Sequence, residues 1–206
     1  MKPFYFLSYF LCQSIFRIFF RLSVKGRKNI PESTPFLVAS NHIAYFDPVI
    51  IGSILKHEMA YAARAELFGQ FLIKDLIRKL NAFPVQRGKS DISAMKMCLH
   101  ILQERKIPLL IFPEGTRIKT GKLGTPQRGI AFIAAQTRVP ILPVYIENSN
   151  RLGACALFLK RLRVSIGKPI LFSDYQHLFA EEMRYFELAQ MIMAKIQKLK
   201  DEIHPS

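Results

Sequence analysis

The chain has 206 residues, half of them apolar, and a formal net charge of +15. Its length suits one domain with a substantial core, and its composition excludes intrinsic disorder. The excess of positive charge indicates an anionic partner, which can be nucleic acid, an anionic membrane surface or a phosphorylated substrate. Cys12, Cys98 and Cys155 are far apart and lack Cys-x-x-Cys spacing, so neither a disulfide framework nor a zinc site is predicted.

The N-terminal segment, residues 1–25, contains the first predicted helix over residues 4–22. It is apolar over roughly the length that spans a bilayer. Gln13, Ser14, Arg17 and Arg21 interrupt it at helical spacing and would share one face. A central Arg costs about 2.5–3.5 kcal/mol in a spanning helix, whereas a helix lying in the interface keeps its arginines among the headgroups. We therefore expect an amphipathic helix at the membrane surface, with an ordinary core helix as the alternative.

The remaining segment, residues 26–206, alternates apolar runs of strand length with segments of helical spacing. Strands are predicted over residues 35–39, 58–63, 82–87, 107–112, 140–146 and 162–166. Helices are predicted from residue 47 onward and over residues 67–80, 90–106, 127–137 and 176–202. This alternation indicates a single-domain α/β sandwich, with a central mixed sheet flanked by helices.

The first candidate site is the connection that follows the strand at residues 35–39. It contains His42 and Asp47, and Pro48 after Asp47 favours a helix start with Asp47 as its N-cap. Open α/β sheets place their chemistry where strands end. An imidazole can take a proton near neutral pH, and a carboxylate on its other nitrogen stabilises the imidazolium. The pair is predicted to be a general base; the alternative is a helix cap beside an ordinary loop histidine.

The second candidate site is the loop after the strand at residues 107–112. Gly115 allows close approach of the backbone, Thr116 offers a hydroxyl, and Arg117 can clamp a phosphate with parallel hydrogen bonds. By itself such a loop is more often only a turn. Residues 119–125, rich in Gly and Lys, are predicted to form a mobile flap.

Other site types lack support in the sequence. No histidine pair or other ligand cluster predicts a metal site. No helix-turn-helix pattern or stacking-aromatic motif accompanies the basic charge, so nucleic acid is not an expected partner.

Three blocks together resemble the 1-acyl-sn-glycerol-3-phosphate acyltransferase family. They are Asn-His with Asp at residues 41, 42 and 47, Phe-Pro-Glu-Gly-Thr-Arg at 112–117, and Val-Pro-Ile-Leu-Pro-Val at 139–144. The resemblance covers about residues 26–168 and includes Gly-Arg-Lys-Asn-Ile-Pro at 26–31. The intermediate block at residues 64–87 is only partly kept, with Phe71, Lys74 and Asn81 where the family more often has Pro, Gly and Gly.

The resemblance implies transfer of a fatty acyl group to the free hydroxyl of a lysophospholipid, most often 1-acyl-glycerol-3-phosphate, giving phosphatidic acid. The acyl donor would be acyl-coenzyme A or acyl carrier protein, with no other cofactor. His42 would be the base and Asp47 its partner, and a backbone amide near Gly115 would stabilise the oxyanion. Glu114, Gly115, Thr116 and Arg117 would bind the acceptor.

Arg87 would add a second guanidinium for the acceptor phosphate. The remaining basic residues would hold the enzyme on an anionic leaflet, at the cytoplasmic face of a membrane, through the N-terminal helix. Two alternatives stay open. One is an acyltransferase for glycerol-3-phosphate, another lysophospholipid or a lyso-aminolipid. The other is a membrane-bound binding module that has lost activity on the same fold.

Overall fold

A computed structural model describes residues 2–33, 35–71, 73–86, 92–179 and 184–204. The strands are β1 (Ser23–Lys25), β2 (Leu37–Ser40), β3 (Ala60–Arg64), β4 (Ala82–Val85), β5 (Leu109–Ile111), β6 (Ile141–Glu147) and β7 (Arg163–Ile166). The helices are α1 (Pro3–Phe19), α2 (Asp47–Gly52), α3 (Lys74–Lys79), α4 (Ile92–Gln103), α5 (Gly129–Thr137), α6 (Leu152–Ala156), α7 (Phe172–Tyr175) and α8 (Tyr185–Asp201). Each strand predicted from the sequence is present.

The strands form one sheet in the order β1-β7-β6-β2-β5-β3-β4. Neighbouring strands are parallel, apart from β6 and β7, which pair antiparallel with Val144 opposite Ile166. The predicted mixed sheet is therefore confirmed. Because β2 lies between β5 and β6 and runs parallel to both, the carboxyl ends of these three strands meet at one edge of the sheet.

Apolar side chains cover both faces of the sheet. Along β2, Leu37 and Ala39 face one layer, whereas Val38 faces the other, because successive side chains of a strand alternate. The first layer contains α4, α5 and α8, and the second contains α1, α2 and α6. Burial on both faces explains why the central strands are continuous apolar runs in the sequence.

Helix α1 lies in the second layer and has two apolar faces. Tyr5, Tyr9 and Phe16 are buried against the body of the protein. On the other side, large apolar residues are exposed: Phe4, Phe6, Leu7, Phe10, Leu11, Ile15, Ile18 and Phe19. The prediction that the polar residues share one face of this helix is wrong. Gln13 points to the body and donates to the Ser53 carbonyl oxygen, and Arg21 lies beyond the helix.

Two predicted helices differ from those of the structure. In place of one helix over residues 67–80, a 3-10 turn at Ala65–Gly69 precedes the short α3. The apolar spacing there is misleading, since Phe71 is 81% exposed. α8 begins at Tyr185 rather than at residue 176, after α7 and a 3-10 turn at Gln176–Phe179. The predicted start of α4 at residues 90 and 91 lies outside the described residues.

Strand β1 was not predicted. It pairs with β7 and is followed by Gly26, whose φ of +80° suits glycine. A Cβ at Gly26 would lie 2.0 Å from the carbonyl oxygen of Ile166, so the backbones of the two segments approach where only glycine fits. The sheet therefore includes residues of the N-terminal segment.

Within the described part of the chain, no helix has both the length and the apolarity needed to cross a bilayer.

Candidate active site

His42 lies two residues after the end of β2 and is 8% exposed. Its Nδ1 is 2.8 Å from Oδ2 of Asp47, a residue that is fully buried. The same carboxylate oxygen accepts hydrogen bonds from the backbone N–H groups of Ile43 and Ala44, at 2.7 and 2.8 Å. Asp47 therefore holds both the imidazole and the loop that carries it.

The position of Asp47 differs from the predicted N-cap. It is the first residue of α2, and Phe46 occupies the N-cap position without a side-chain cap. The carboxylate of Asp47 instead accepts hydrogen bonds from the loop that precedes the helix. An ionised carboxylate can only accept hydrogen bonds, so this contact selects the tautomer of a neutral imidazole with the proton on Nδ1 and the lone pair on Nε2. This is the tautomer that a general base requires.

Two neighbouring residues, Phe112 and Asn41, position the imidazole. The ring of Phe112 stacks on it, with ring centroids 4.0 Å apart and an angle of 14° between the planes. The side-chain amide of Asn41 bonds Ile146 of β6 through both of its polar atoms, at 3.0 and 2.8 Å. Asn41 thereby extends the pairing of β2 with β6 by one residue and presents His42 at the edge of the sheet.

Glu114 joins the two candidate loops. Its Oε2 accepts from the backbone N–H of His42 at 2.9 Å, and its Oε1 accepts from that of Gly124 at 2.8 Å. The residue is 4% exposed. Burial raises the pKa of its carboxyl above the ordinary value, and the hydrogen bonds from Gly124 and His42 oppose that shift.

A second backbone bond supports this junction, because the N–H of Ile118 donates to the carbonyl oxygen of His42 at 2.8 Å. The two predicted sites are thus one site, formed by the loops after β2 and β5. Among the described residues, no ion pair joins Glu114 to an arginine.

The rest of the second loop forms the rim of the site. Gly115, with φ +67°, and Thr116 are exposed, and Arg117 is partly exposed. The guanidinium carbon of Arg117 lies 3.5 Å from the ring centroid of Tyr45, in the first loop. A hydrogen bond to Arg117, together with its positive charge, lowers the pKa of Tyr45. Arg117 therefore connects the second loop to the first at the rim of the site.

The sequence assigned no role to several residues that form this site. Asn41 and Phe112 belong to the motif blocks, and Tyr45 lies between His42 and Asp47, so their position in the sequence was the available signal. Gly124 lies in the segment predicted as a flap, where its backbone N–H holds Glu114. Arg87 lies outside the described residues. Within the described part of the chain, no group of three or more His, Cys, Asp or Glu side chains could hold a metal ion.

Comparison with known proteins agrees with the family resemblance found in the sequence. Residues 21–147 match the family described as Acyltransferase. The chain is 31% identical over 182 residues to the 1-acyl-sn-glycerol-3-phosphate acyltransferase of Bacillus subtilis (strain 168), covering 87% of each chain. It is 27% identical over 168 residues to the enzyme of the same name from Streptococcus pneumoniae, covering 81% of this chain and 61% of that protein.

Among solved structures, the chain resembles the 1-acyl-sn-glycerophosphate (LPA) acyltransferase PlsC from Thermotoga maritima. The TM-score is 0.71 at 21% identity, over 100% of this chain and 85% of that one, which shows a common fold. The chain belongs to the acyltransferase family, and it is an O-acyltransferase. This membership favours the enzyme over the binding module kept as an alternative.

Proposed function

We propose that this enzyme transfers a fatty acyl group from a thioester to the free hydroxyl of 1-acyl-glycerol-3-phosphate, giving phosphatidic acid. The donor is acyl-coenzyme A or acyl carrier protein. The observation that carries the proposal is the 2.8 Å contact of His42 with Asp47, placed beside a loop whose Arg117 contacts Tyr45 of the first loop. The named relatives support the same acceptor.

The chemical step begins with removal of the acceptor's hydroxyl proton by Nε2 of His42. Asp47 keeps Nδ1 protonated and stabilises the imidazolium. The acceptor oxygen then attacks the thioester carbonyl carbon, so that the C–O bond forms and the carbonyl oxygen becomes an oxyanion. Collapse of this intermediate breaks the C–S bond. The imidazolium returns its proton to the departing thiolate, which restores the neutral base and releases the thiol.

This sequence needs no covalent acyl-enzyme. A thiol is a good leaving group, because its pKa of about 8.5 lies far below that of an alcohol. The oxyanion needs a donor, for which we predicted a loop amide near Gly115. The N–H of Gly115 itself donates to the carbonyl oxygen of Phe112 at 3.0 Å, so we propose a different amide of this loop for the oxyanion.

The acceptor phosphate is assigned to the rim. Arg117 supplies a guanidinium, and the exposed Gly115 and Thr116 allow the headgroup to approach the backbone. Arg87 is proposed as a second guanidinium, as the sequence predicts. For Glu114 the buried position beneath the rim favours an indirect role in acceptor binding, in which it fixes the loop that the headgroup touches.

The acyl chains of both substrates require a lipid surface. We propose that α1 lies at the cytoplasmic face of a membrane, with its exposed apolar side among the acyl chains and its basic neighbours at the headgroups. Flotation of the purified protein with anionic vesicles tests this attachment. Recovery of all the protein in the vesicle-free fraction would contradict it.

The test of the reaction is acyl transfer to 1-acyl-glycerol-3-phosphate in detergent. We expect His42→Ala to lose nearly all activity while its circular dichroism spectrum stays that of the unmodified protein. His177→Ala, at a histidine in the 3-10 turn after α7, is the matched control and should keep full activity. Full activity of the His42 variant would remove this residue from the mechanism.

The acceptor is tested separately, with a panel of lysophospholipids, a lyso-aminolipid and glycerol-3-phosphate. Each is offered with acyl-coenzyme A and with acylated carrier protein, and products are identified by mass. We expect phosphatidic acid to form fastest. Arg117→Ala should raise the KM for the acceptor and leave kcat close to its original value, since the phosphate does not take part in bond making.

A further inference from the structure

A short apolar tip follows α6 on the surface of the second layer. Leu157, Phe158 and Leu159 are consecutive, and they are 71%, 64% and 77% exposed. Single exposed apolar residues are ordinary, but three large ones in sequence present a patch that water solvates poorly. None of the catalytic contacts described above involves this tip.

The tip is held in one conformation. The N–H of Phe158 donates to the carbonyl oxygen of Cys155. The N–H groups of Leu159 and Lys160 both donate to the carbonyl oxygen of Ala154. Phe158 has a φ of +59°, a left-handed conformation that is unfavourable for a bulky residue. The aromatic ring is therefore exposed by a defined turn that terminates α6.

The tip lies beside the C-terminal end of α1. Nη1 of Arg21 donates to the carbonyl oxygen of Phe158 at 3.1 Å, and its guanidinium lies 5.8 Å from the Phe158 ring centroid. The N–H of Leu162 donates to the carbonyl oxygen of Phe20. Because Ile18 and Phe19 are 66% and 58% exposed at that end of α1, the tip continues the exposed apolar side of the helix.

The tip is also at the edge of the sheet that carries the active site. Arg163 of β7 pairs with Glu147, the last residue of β6. The preceding residue of β6, Ile146, bonds the side chain of Asn41, next to His42. A surface that binds the tip would therefore also lie near the edge where the acceptor hydroxyl must reach the base.

The charges around the tip are positive. Arg21 contacts it, and Lys160 and Arg161 follow it directly in the chain, in a protein of net charge +15. An apolar projection surrounded by cations matches the acyl chains and headgroups of an anionic lipid leaflet. A groove would suit a peptide, but this feature projects from the surface.

We propose that Leu157, Phe158 and Leu159 insert into an anionic leaflet as a second membrane contact beside α1. This inference rests on the membrane attachment assigned to α1 under the proposed function. Two contacts, one along the helix and one at its end, fix the tilt of the protein. They hold the site edge against the lipid surface from which the acyl chains enter.

The absence of tryptophan from the chain allows a direct test. Phe158→Trp places one fluorophore on the tip, and Leu11→Trp places one on the exposed side of α1. Leu171→Trp is the control, because Leu171 is 49% exposed but lies at the opposite edge of the sheet, next to the bridge of Ile170 with Ile141. Each variant is mixed with vesicles of phosphatidylcholine and phosphatidylglycerol, with and without brominated acyl chains.

We expect the emission of tryptophan at positions 158 and 11 to shift to shorter wavelength and to be quenched by the brominated chains, while position 171 is unaffected. A response at position 11 without one at position 158 would overturn the second contact and leave the attachment of α1 intact. No response at either position would overturn both, whereas acyl transfer in detergent tests the reaction independently.

Affinity provides an independent measurement. Phe158→Ser should weaken binding to the anionic vesicles by roughly tenfold, as expected for one aromatic side chain withdrawn from lipid. Leu171→Ser should leave the affinity unchanged. If the tip instead binds a protein, Phe158→Ser and the unmodified chain will have equal affinity for vesicles, which contradicts the proposal.

Discussion

At the scale of single residues, Oδ2 of Asp47 is the most heavily used acceptor of the site. It receives Nδ1 of His42 and two backbone N–H groups, whereas Oδ1 is buried without a partner among the described residues. The carboxylate thus contacts the imidazole, toward which we propose an electrostatic task, and the loop, toward which its task is structural. A substitution that separates these tasks is informative.

Asp47→Asn retains an oxygen that can accept from Ile43 and Ala44, but it removes the negative charge. We expect kcat to fall by about 10³–10⁴, since an amide neither stabilises the imidazolium nor fixes the tautomer. The KM for the acceptor should change little. Asp47→Ala is the comparison, because it also removes the loop contacts and should lower the thermal midpoint. Equal kcat in Asp47→Asn and the unmodified enzyme would exclude the electrostatic task.

Tyr45 is the second residue for which the contacts suggest a role. Its ring covers the guanidinium of Arg117 at 3.5 Å. An exposed cation–π contact is weak, so Tyr45→Leu should raise the KM for the acceptor only about two- to fivefold, without lowering kcat. Tyr45→Phe keeps the ring and should have a smaller effect.

A matched background makes this prediction specific. In Arg117→Ala, the change Tyr45→Leu should have no further effect on the KM, because the group that it positions is gone. An additional increase of the same size would show that Tyr45 contacts the acceptor by itself.

At the scale of elements, the site depends on the adjacency of β2 and β5. Glu114 joins the loops that follow these strands, although it is 72 residues from His42 in the chain. The carboxylate is buried, and its raised pKa means that the folded state binds its proton more tightly than the unfolded state does. Ionisation of this group therefore opposes folding to some extent, even with two N–H donors in place.

The consequence is a pH dependence with a definite sign. As pH rises from the ordinary pKa of a glutamate through the raised value, the unmodified protein should lose free energy of unfolding relative to Glu114→Gln, which cannot ionise. Below the ordinary value this relative loss should be absent. Urea unfolding of both proteins at a series of pH values measures the difference.

Glu104→Gln, which removes an exposed carboxylate after α4, corrects this measurement for the change in net charge. A free-energy difference that grows in favour of the unmodified protein as pH rises would contradict the assigned direction.

At the scale of the whole molecule, α1 belongs to the core as well as to the surface. Tyr5, Tyr9 and Phe16 are each at most 6% exposed, and the N–H of Met59 donates to the hydroxyl of Tyr5. Burial raises the pKa of Tyr5 to about 12, as expected for a phenol withdrawn from water. The segment predicted as a membrane-associating helix thus also belongs to the layer that covers one face of the sheet.

Truncation to residues 26–206 should therefore destabilise the protein rather than merely release it from lipid. Loss of one large buried aromatic side chain costs about 3–5 kcal/mol, and the truncation also removes β1 from the sheet. We expect a lower thermal midpoint and aggregation, measured by circular dichroism and sedimentation.

The matched control keeps α1 and changes only its exposed side, by Leu7→Ser, Leu11→Ser and Ile18→Ser. This variant should fold like the unmodified chain and lose vesicle binding. A truncated protein that unfolds at the midpoint of the full chain would show that α1 adds nothing to the core.

Local features of the sequence determined much of this protein. The strands were predictable because both faces of a central strand are buried, which leaves continuous apolar runs. His42 and Asp47 were predictable as a pair because one short loop carries both. The block at residues 112–117 identified the second loop by its residue types alone. These signals are local, so they do not depend on how distant segments meet.

Only the tertiary structure decided how these parts combine. The parallel pairing of β2 with β5 places Glu114 beneath His42, and its pairing with β6 places Asn41 against a residue 105 positions away. The direction of Gln13 and the pairing of β1 with β7 were also beyond the sequence pattern. The physical reason is that strand order and helix orientation depend on packing between distant segments. The hydrophobic periodicity along the chain carries no information about that packing.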